Sequence, residues 1–143
     1  MSWTRAIFRL VGVALVLGLS TAALATTIAP GFTAPIRLAG TAGGDERATR
    51  FGVSPDGVCT GWIPGAPQHT FDLTAAQDLR IAVSAPADTT LVLRGPSGLR
   101  CNDDANGHDP ALAGTFEAGR WLVYVGSYER TARTAYTLTV TPR

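Results

Sequence analysis

The chain has no lysine, and all twelve of its basic residues are arginines, scattered singly from Arg37 to Arg143 after two near the start. A nucleic-acid surface needs basic side chains gathered on one face or stripe, so this pattern argues against nucleic acid as a partner, and eleven acidic residues nearly balance the charge. Histidine is almost as scarce. His69 and His108 are the only two, there is no Gly-x-Ser-x-Gly elbow, and Ser97 and Ser127 fall in turn or strand-end contexts. Hydrolytic chemistry therefore lacks its usual parts; His108 beside Asp109 could act as a general base, but a histidine in a polar loop is ordinarily just solvated. Two cysteines far apart exclude Cys-x-x-Cys redox and zinc motifs. Helical periodicity is absent outside the first 25 residues, and no internal repeat is present.

What is present begins with an export pattern. Arg5 and Arg9 form a positive start, Leu10 to Leu19 an apolar run, and Ala23-Leu24-Ala25 an A-x-A cleavage site, so residues 1–25 read as a signal peptide and the chain as periplasmic or extracellular. An uncleaved membrane anchor is the rival reading, although the apolar part is short for a span. Export changes how the cysteines are read. In an oxidising compartment an even pair more often forms a structural disulfide than two free thiols, and Cys59–Cys101 would close a loop of about forty residues, worth roughly 3 to 4 kcal/mol in the chain-entropy model.

Residues 26–48 carry Pro30, Pro35 and Gly43-Gly44 with little periodicity, and read as an extended leader with an edge strand at Ile36 to Leu38. From residue 49 to 143 strands follow one another. Expected strands are Val58 to Ile63, Thr70 to Leu73, Leu79 to Ser84, Leu112 to Phe116, Trp121 to Val125 and Tyr136 to Thr141, the last sending Tyr136, Leu138 and Val140 inward. Thr90 to Arg94, stopped by Gly95-Pro96-Ser97-Gly98, opens a hairpin: with Pro96 and Ser97 leading the turn, Arg94 faces Leu99, Val92 faces Cys101 and Asp88 reaches Ala105, whereas a one-residue slip would set Asp88 opposite Asn106. About eight short strands joined by turns predict an all-β, antiparallel sandwich.

After the hairpin, Asn102, Asp103, Asp104, Asn106 and Asp109 crowd one loop, with Asp88 across from it. Asn102, Asp104, Asn106 and Gly107 match the first half of a calcium-loop pattern, and the match fails afterwards because the twelfth position is Ala113 rather than Glu. Two readings stand: an oxygen cage for calcium, with Asp88, Asp103 and Asp109 adding charge, or an Asx-rich turn bonded to its own backbone. Such a cage would be structural rather than catalytic. Among the aromatics, Trp62, Tyr124, Tyr128 and Tyr136 could form a flat binding platform; alternation places Trp121 and Tyr136 on inward faces, so Tyr128, just after Gly126-Ser127, and Trp62 are the binding candidates.

The series Asp88-Thr89-Thr90-Leu91, Gly95-Pro96-Ser97-Gly98, Asn102-Asp103-Asp104, Ala118-Gly119-Arg120-Trp121-Leu122-Val123-Tyr124-Val125 and Tyr136-Thr137-Leu138-Thr139-Val140 resembles, in this order, the bacterial pre-peptidase C-terminal (PPC) domain. Trp121 stands where that family usually has Tyr. The resemblance implies a jelly-roll-like β-sandwich, a non-catalytic module found beside secreted proteases, with some members binding calcium and some binding collagen or other polymers. The function expected is thus a binding or stabilising module whose partner is a secreted protease, an extracellular polymer or an envelope component. A structural envelope protein held by an uncleaved N-terminus and an uncharacterised hydrolase are the alternatives.

Overall fold

The computed structural model describes residues 24–143; the expected export signal over residues 1–25 lies outside them except for Leu24 and Ala25. In chain order the strands are β1 (Thr26–Ile28), β2 (Ile36–Ala42), β3 (Glu46–Arg47), β4 (Val53–Ser54), β5 (Gly57–Val58), β6 (Trp62–Ile63), β7 (His69–Leu73), β8 (Gln77–Ser84), β9 (Thr89–Gly95), β10 (Gly98–Asn102), β11 (Ala111–Phe116), β12 (Gly119–Ser127) and β13 (Thr134–Pro142). A single 3-10 turn, Ala48–Phe51, interrupts them. Eight of these strands have five residues or more, in line with the about eight that the sequence predicts; of the five short ones, β1, β3 and β6 join the first sheet, and β4 and β5 pair only with each other.

Two sheets face each other. The first is built on β12, which pairs with β9 along one edge and with β7 and then β6 along the other; β10 extends it beyond β9, β3 beyond β6, and β1 beyond β7 in parallel. The second runs β11-β8-β13-β2, all antiparallel. Period-two patterning places the inner faces: Leu79, Ile81 and Val83 of β8 and Tyr136, Leu138 and Val140 of β13 are buried against Phe71, Leu91, Leu93, Trp121, Val123 and Val125 of the first sheet. Each such side chain contributes roughly 1.5 to 3 kcal/mol by leaving water.

Residues 26–48, expected to be a leader outside the sandwich, are built into both sheets. β1 buries Ile28 beside β7, and β2 pairs with β13 from Ile36↔Val140 to Ala42↔Thr134, a longer edge strand than Ile36 to Leu38. The breakers Pro30, Pro35 and Gly43 separate short strands whose partners are remote in sequence, which is why local periodicity is weak there. The strand expected from Val58 to Ile63 is likewise two strands in different sheets. Between them Gly61 has φ +82°, and a side chain there would strike the Ser127 carbonyl and Thr90, so the chain must turn at this point.

The hairpin register is as read, Leu99↔Arg94 and Cys101↔Val92, but pairing stops at Asn102↔Leu91 and Asp88 never meets Ala105. One further feature closes the first sheet. Between β6 and β7 the chain leaves the side of β12, and the Gln68 side chain fills the gap: its Nε2 donates to the Val125 carbonyl at 2.7 Å and its Oε1 accepts from the Val125 N–H at 2.9 Å. A primary amide has one donor side and one acceptor side, so it replaces the missing strand residue.

His69 of β7 lies at the interface of the sheets, with Nε2 at 2.8 Å from the Tyr136 hydroxyl. Burial holds the imidazole below its ordinary pKa of 6.5 and pushes the Tyr136 phenol up, since both charged forms lose hydration there. The unfolded chain therefore takes up a proton at His69, and at high pH releases one at Tyr136, where the folded chain does not, so the stability tied to this pair is complete between about 6.5 and about 10 and falls as pH drops below the first or rises above the second. Urea midpoints at about pH 7.5 and about pH 5.5 should differ in that direction. His69→Gln should flatten the difference, and a wild-type midpoint that did not move would contradict this account.

Candidate functional site

The acidic loop is a set of separate tasks. Asn102 Oδ1 accepts from the N–H groups of Ala105 and Ala111 at 3.1 and 3.0 Å, which bends the chain out of β10 and into β11. Asp109 Oδ1 accepts from Ala85 N–H at 3.1 Å and ties the loop to the end of β8, while Asn106 and Asp109 exchange two backbone hydrogen bonds. Asp103 accepts from the Thr60 hydroxyl at 2.8 Å; Asp104 is exposed. Asp88 lies 3.1 Å from His108 Nδ1. Among the described residues no three His, Cys, Asp or Glu side chains are placed to share a metal ion. The oxygens of Asn102, Asp103 and Asp109 accept from backbone amides and a hydroxyl, as the Asx-turn reading expects of them. His108, read in the sequence beside Asp109, lies exposed against Asp88 instead.

The two candidate binding aromatics differ in their surroundings. Tyr128 is exposed, as expected, at 54 %. Trp62 is half-buried, and the guanidinium groups of Arg47 and Arg130 both lie over its ring, 4.5 and 4.9 Å from the centroid. A ring engaged by two cations has little face left for a sugar or another aromatic.

The outer face of the first sheet is where the structure departs from an ordinary sandwich. On β9, β10 and β12 one row pointing away from the core is also apolar: Val92, Cys101 and Tyr124 lie in that register row and form a second buried cluster with Ala48, Cys59 and Ile63. The segment from Ala48 to Ile63 covers this face. The Cys59–Cys101 disulfide, with Cα atoms 5.2 Å apart, fastens the cover to β10. Ser54 Oγ accepts from the Cys101 N–H at 3.0 Å, and Arg100 holds Asp56 through two hydrogen bonds of 2.6 and 2.8 Å.

Phe51 stands at one edge of the cover, and the row of the face beside it stays open. Leu99, Arg94 and Leu122 are paired side by side across three strands, so all three side chains emerge on that face. With Phe51 and Arg50 on one side and Arg120 on another they line an open pocket of about 550 Å³. Phe51 packs on Tyr124 at 5.3 Å between ring centroids, and the guanidinium groups of Arg50 and Arg94 each lie 4.7 Å from its centroid. Arg50 is ion-paired with Glu46, and Arg120 with Asp72 by two hydrogen bonds of 2.8 and 2.9 Å. Hydrogen bonding from Arg120 holds the Asp72 carboxyl below its usual range, so that pair stays charged. Arg94 makes no ion pair among the described residues.

None of these pocket residues was among the sequence candidates. A signal existed in Leu91-Val92-Leu93 and in Trp121 to Val125, which are apolar at every position where a sheet open to water on one side would alternate. Such runs announce that both faces are covered. Where the cover stops is a property of the three-dimensional path alone.

No family model matches the chain. A stretch of 48 residues is 42% identical to an uncharacterized protein of Synechococcus elongatus, covering 34% of this chain and 36% of that protein, so the match spans about a third of the relative's length. In three dimensions the chain is similar to the pre-peptidase C-terminal domain of a collagenase from Bacillus anthracis, with a TM-score of 0.52 and 18% identity, over 82% of this chain and 95% of that domain. That likeness establishes the fold as the one the motif order implied.

Proposed function

We propose that this chain, built on the fold of a pre-peptidase C-terminal domain, is an exported, non-catalytic β-sandwich module that holds a partner through the open pocket on the outer face of its first sheet. The partner is a secreted protease, an extracellular polymer or an envelope component. The observation supporting this reading is the edge of the cover at Phe51, beyond which lie two half-buried leucines and Arg94, a cation with no ion pair among the described residues. A face sealed by its own disulfide-fastened segment and open at one place has the shape of a binding site rather than of an unfinished core. The collagenase neighbour and the disulfide both accord with an exported protein.

The purified exported chain should sediment with an envelope preparation or with one of a panel of extracellular polymers. Arg94→Glu, a change at an exposed position, should lower the retained fraction by about tenfold, on the order of 1.4 kcal/mol, with Arg143→Glu as the control. Equal retention of all three proteins would exclude the pocket as the binding face.

A further inference from the structure

We propose that the pocket's ligand is a peptide segment that presents a carboxylate beside an apolar side chain; this rests on reading the pocket as the binding face. The charge argument comes first. Of the three arginines around the pocket, Arg50 and Arg120 are neutralised by Glu46 and Asp72, while Arg94 makes no ion pair among the described residues. Its guanidinium is also held in place, since it lies on the Phe51 ring and Phe51 is fixed against Tyr124. A guanidinium already oriented loses little freedom when it takes a carboxylate in its two-pronged fashion, which is the condition for a strong contact at an exposed position.

The surroundings select what carries that carboxylate. In register Arg94 sits between Leu99 and Leu122, about 5 Å from each, so any group held by Arg94 has an aliphatic surface on either side. Beyond Phe51, Val53 and Val58 pair across the β4–β5 hairpin and are 72% and 55% exposed. An inorganic anion makes no use of these surfaces. An acidic sugar would find the cation but no open ring in the pocket to stack on, since the Phe51 ring is taken by two guanidinium groups. A peptide with Asp or Glu next to Leu, Val or Phe matches both halves of the pocket.

Fluorescence anisotropy with the full exported chain tests this, using four labelled probes: a Glu–Leu repeat peptide amidated at its C-terminus, its Gln–Leu and Glu–Gly counterparts, and an oligouronate. The Glu–Leu peptide should bind, and the Gln–Leu and Glu–Gly peptides should each bind at least about tenfold more weakly. Arg94→Gln should cost the Glu–Leu peptide about tenfold and leave the Gln–Leu peptide unchanged, and Arg94→Lys should restore part of the loss, because an ammonium cannot reproduce the two-pronged contact. The proposal is overturned by equal binding of Glu–Leu and Gln–Leu peptides, or by no binding of Glu–Leu. Tighter binding of the oligouronate, if dependent on Arg94, would replace the ligand class and keep the pocket. Binding indifferent to Arg94, with an unchanged melting temperature, would remove the pocket reading too.

Discussion

Breaking the Cys59–Cys101 bond, by reductant or by the double change Cys59→Ala and Cys101→Ala, is expected to destabilise the protein by about 4 kcal/mol and lower its melting temperature by on the order of 15 °C. The bond joins residues 42 apart, and closing a loop of that length in the unfolded chain accounts for most of the figure. The folded state adds to it. Cys59 and Cys101 are fully buried within the cluster that Val92, Ile63 and Tyr124 complete, so the bond lies inside the apolar seam it fastens. Loss of the bond should loosen the segment from Ala48 to Ile63 before the sandwich itself. Hydrogen exchange should therefore report faster opening at Cys59 and Ile63 than at Val123 or Leu138. A reduced protein melting within about 3 °C of the oxidised one would contradict this role.

Trp121→Ala is expected to cost about 4 kcal/mol, the other large effect. Trp121 is 1% exposed and stands edge-on to Phe116 at 5.2 Å between ring centroids, and its indole N–H donates to the Glu117 carbonyl at 3.0 Å. Truncation would leave a cavity between the sheets and free a carbonyl at the β11–β12 turn. The neighbouring chain has given way to the ring. Gly95, at the end of β9, lies against the indole so closely that a Cβ would fall within its van der Waals surface. Gly95→Ala should therefore destabilise as well, whereas alanine at both positions should cost less than the sum of the two, because the methyl group enters space the indole has left. Denaturant melts of the three variants measure this, and strict additivity would show that Gly95 and Trp121 do not share that space.

Much of the sandwich is legible in the residues because its signals are local. The Gly95 to Gly98 turn fixes a register, and once Arg94 faces Leu99, Val92 must face Cys101. Alternation in β8 and β13 names the inward side chains one by one. The same logic fails at Asp88 because the ladder is ended by a side chain: Asn102 captures the N–H groups of Ala105 and Ala111, and a local hydrogen bond outcompetes the next rung. It fails again for residues 26–48, where Ile28 and Ala42 are core residues only by virtue of β7 and β13, far along the chain. The acidic loop shows the limit for chemistry. Carboxylates close in sequence suggest a shared ion, yet their direction is set by whichever backbone amides lie within reach. The pocket is the opposite case, since Phe51, Arg94 and Leu122 come from three separate stretches and meet only when the cover is fastened down.

The Gln68 amide bears on how the chain tolerates change in length. Because that side chain continues the hydrogen bonding of β12 between β7 and β6, the four residues from Pro64 to Pro67 carry none of the sheet's pairing. Gly65 and Ala66 are exposed at its crest. Extra sequence inserted between them would be borne on the surface like a graft, with both of its ends already anchored in the sheet, so this bend is the natural place for the molecule to be lengthened, labelled or joined to another.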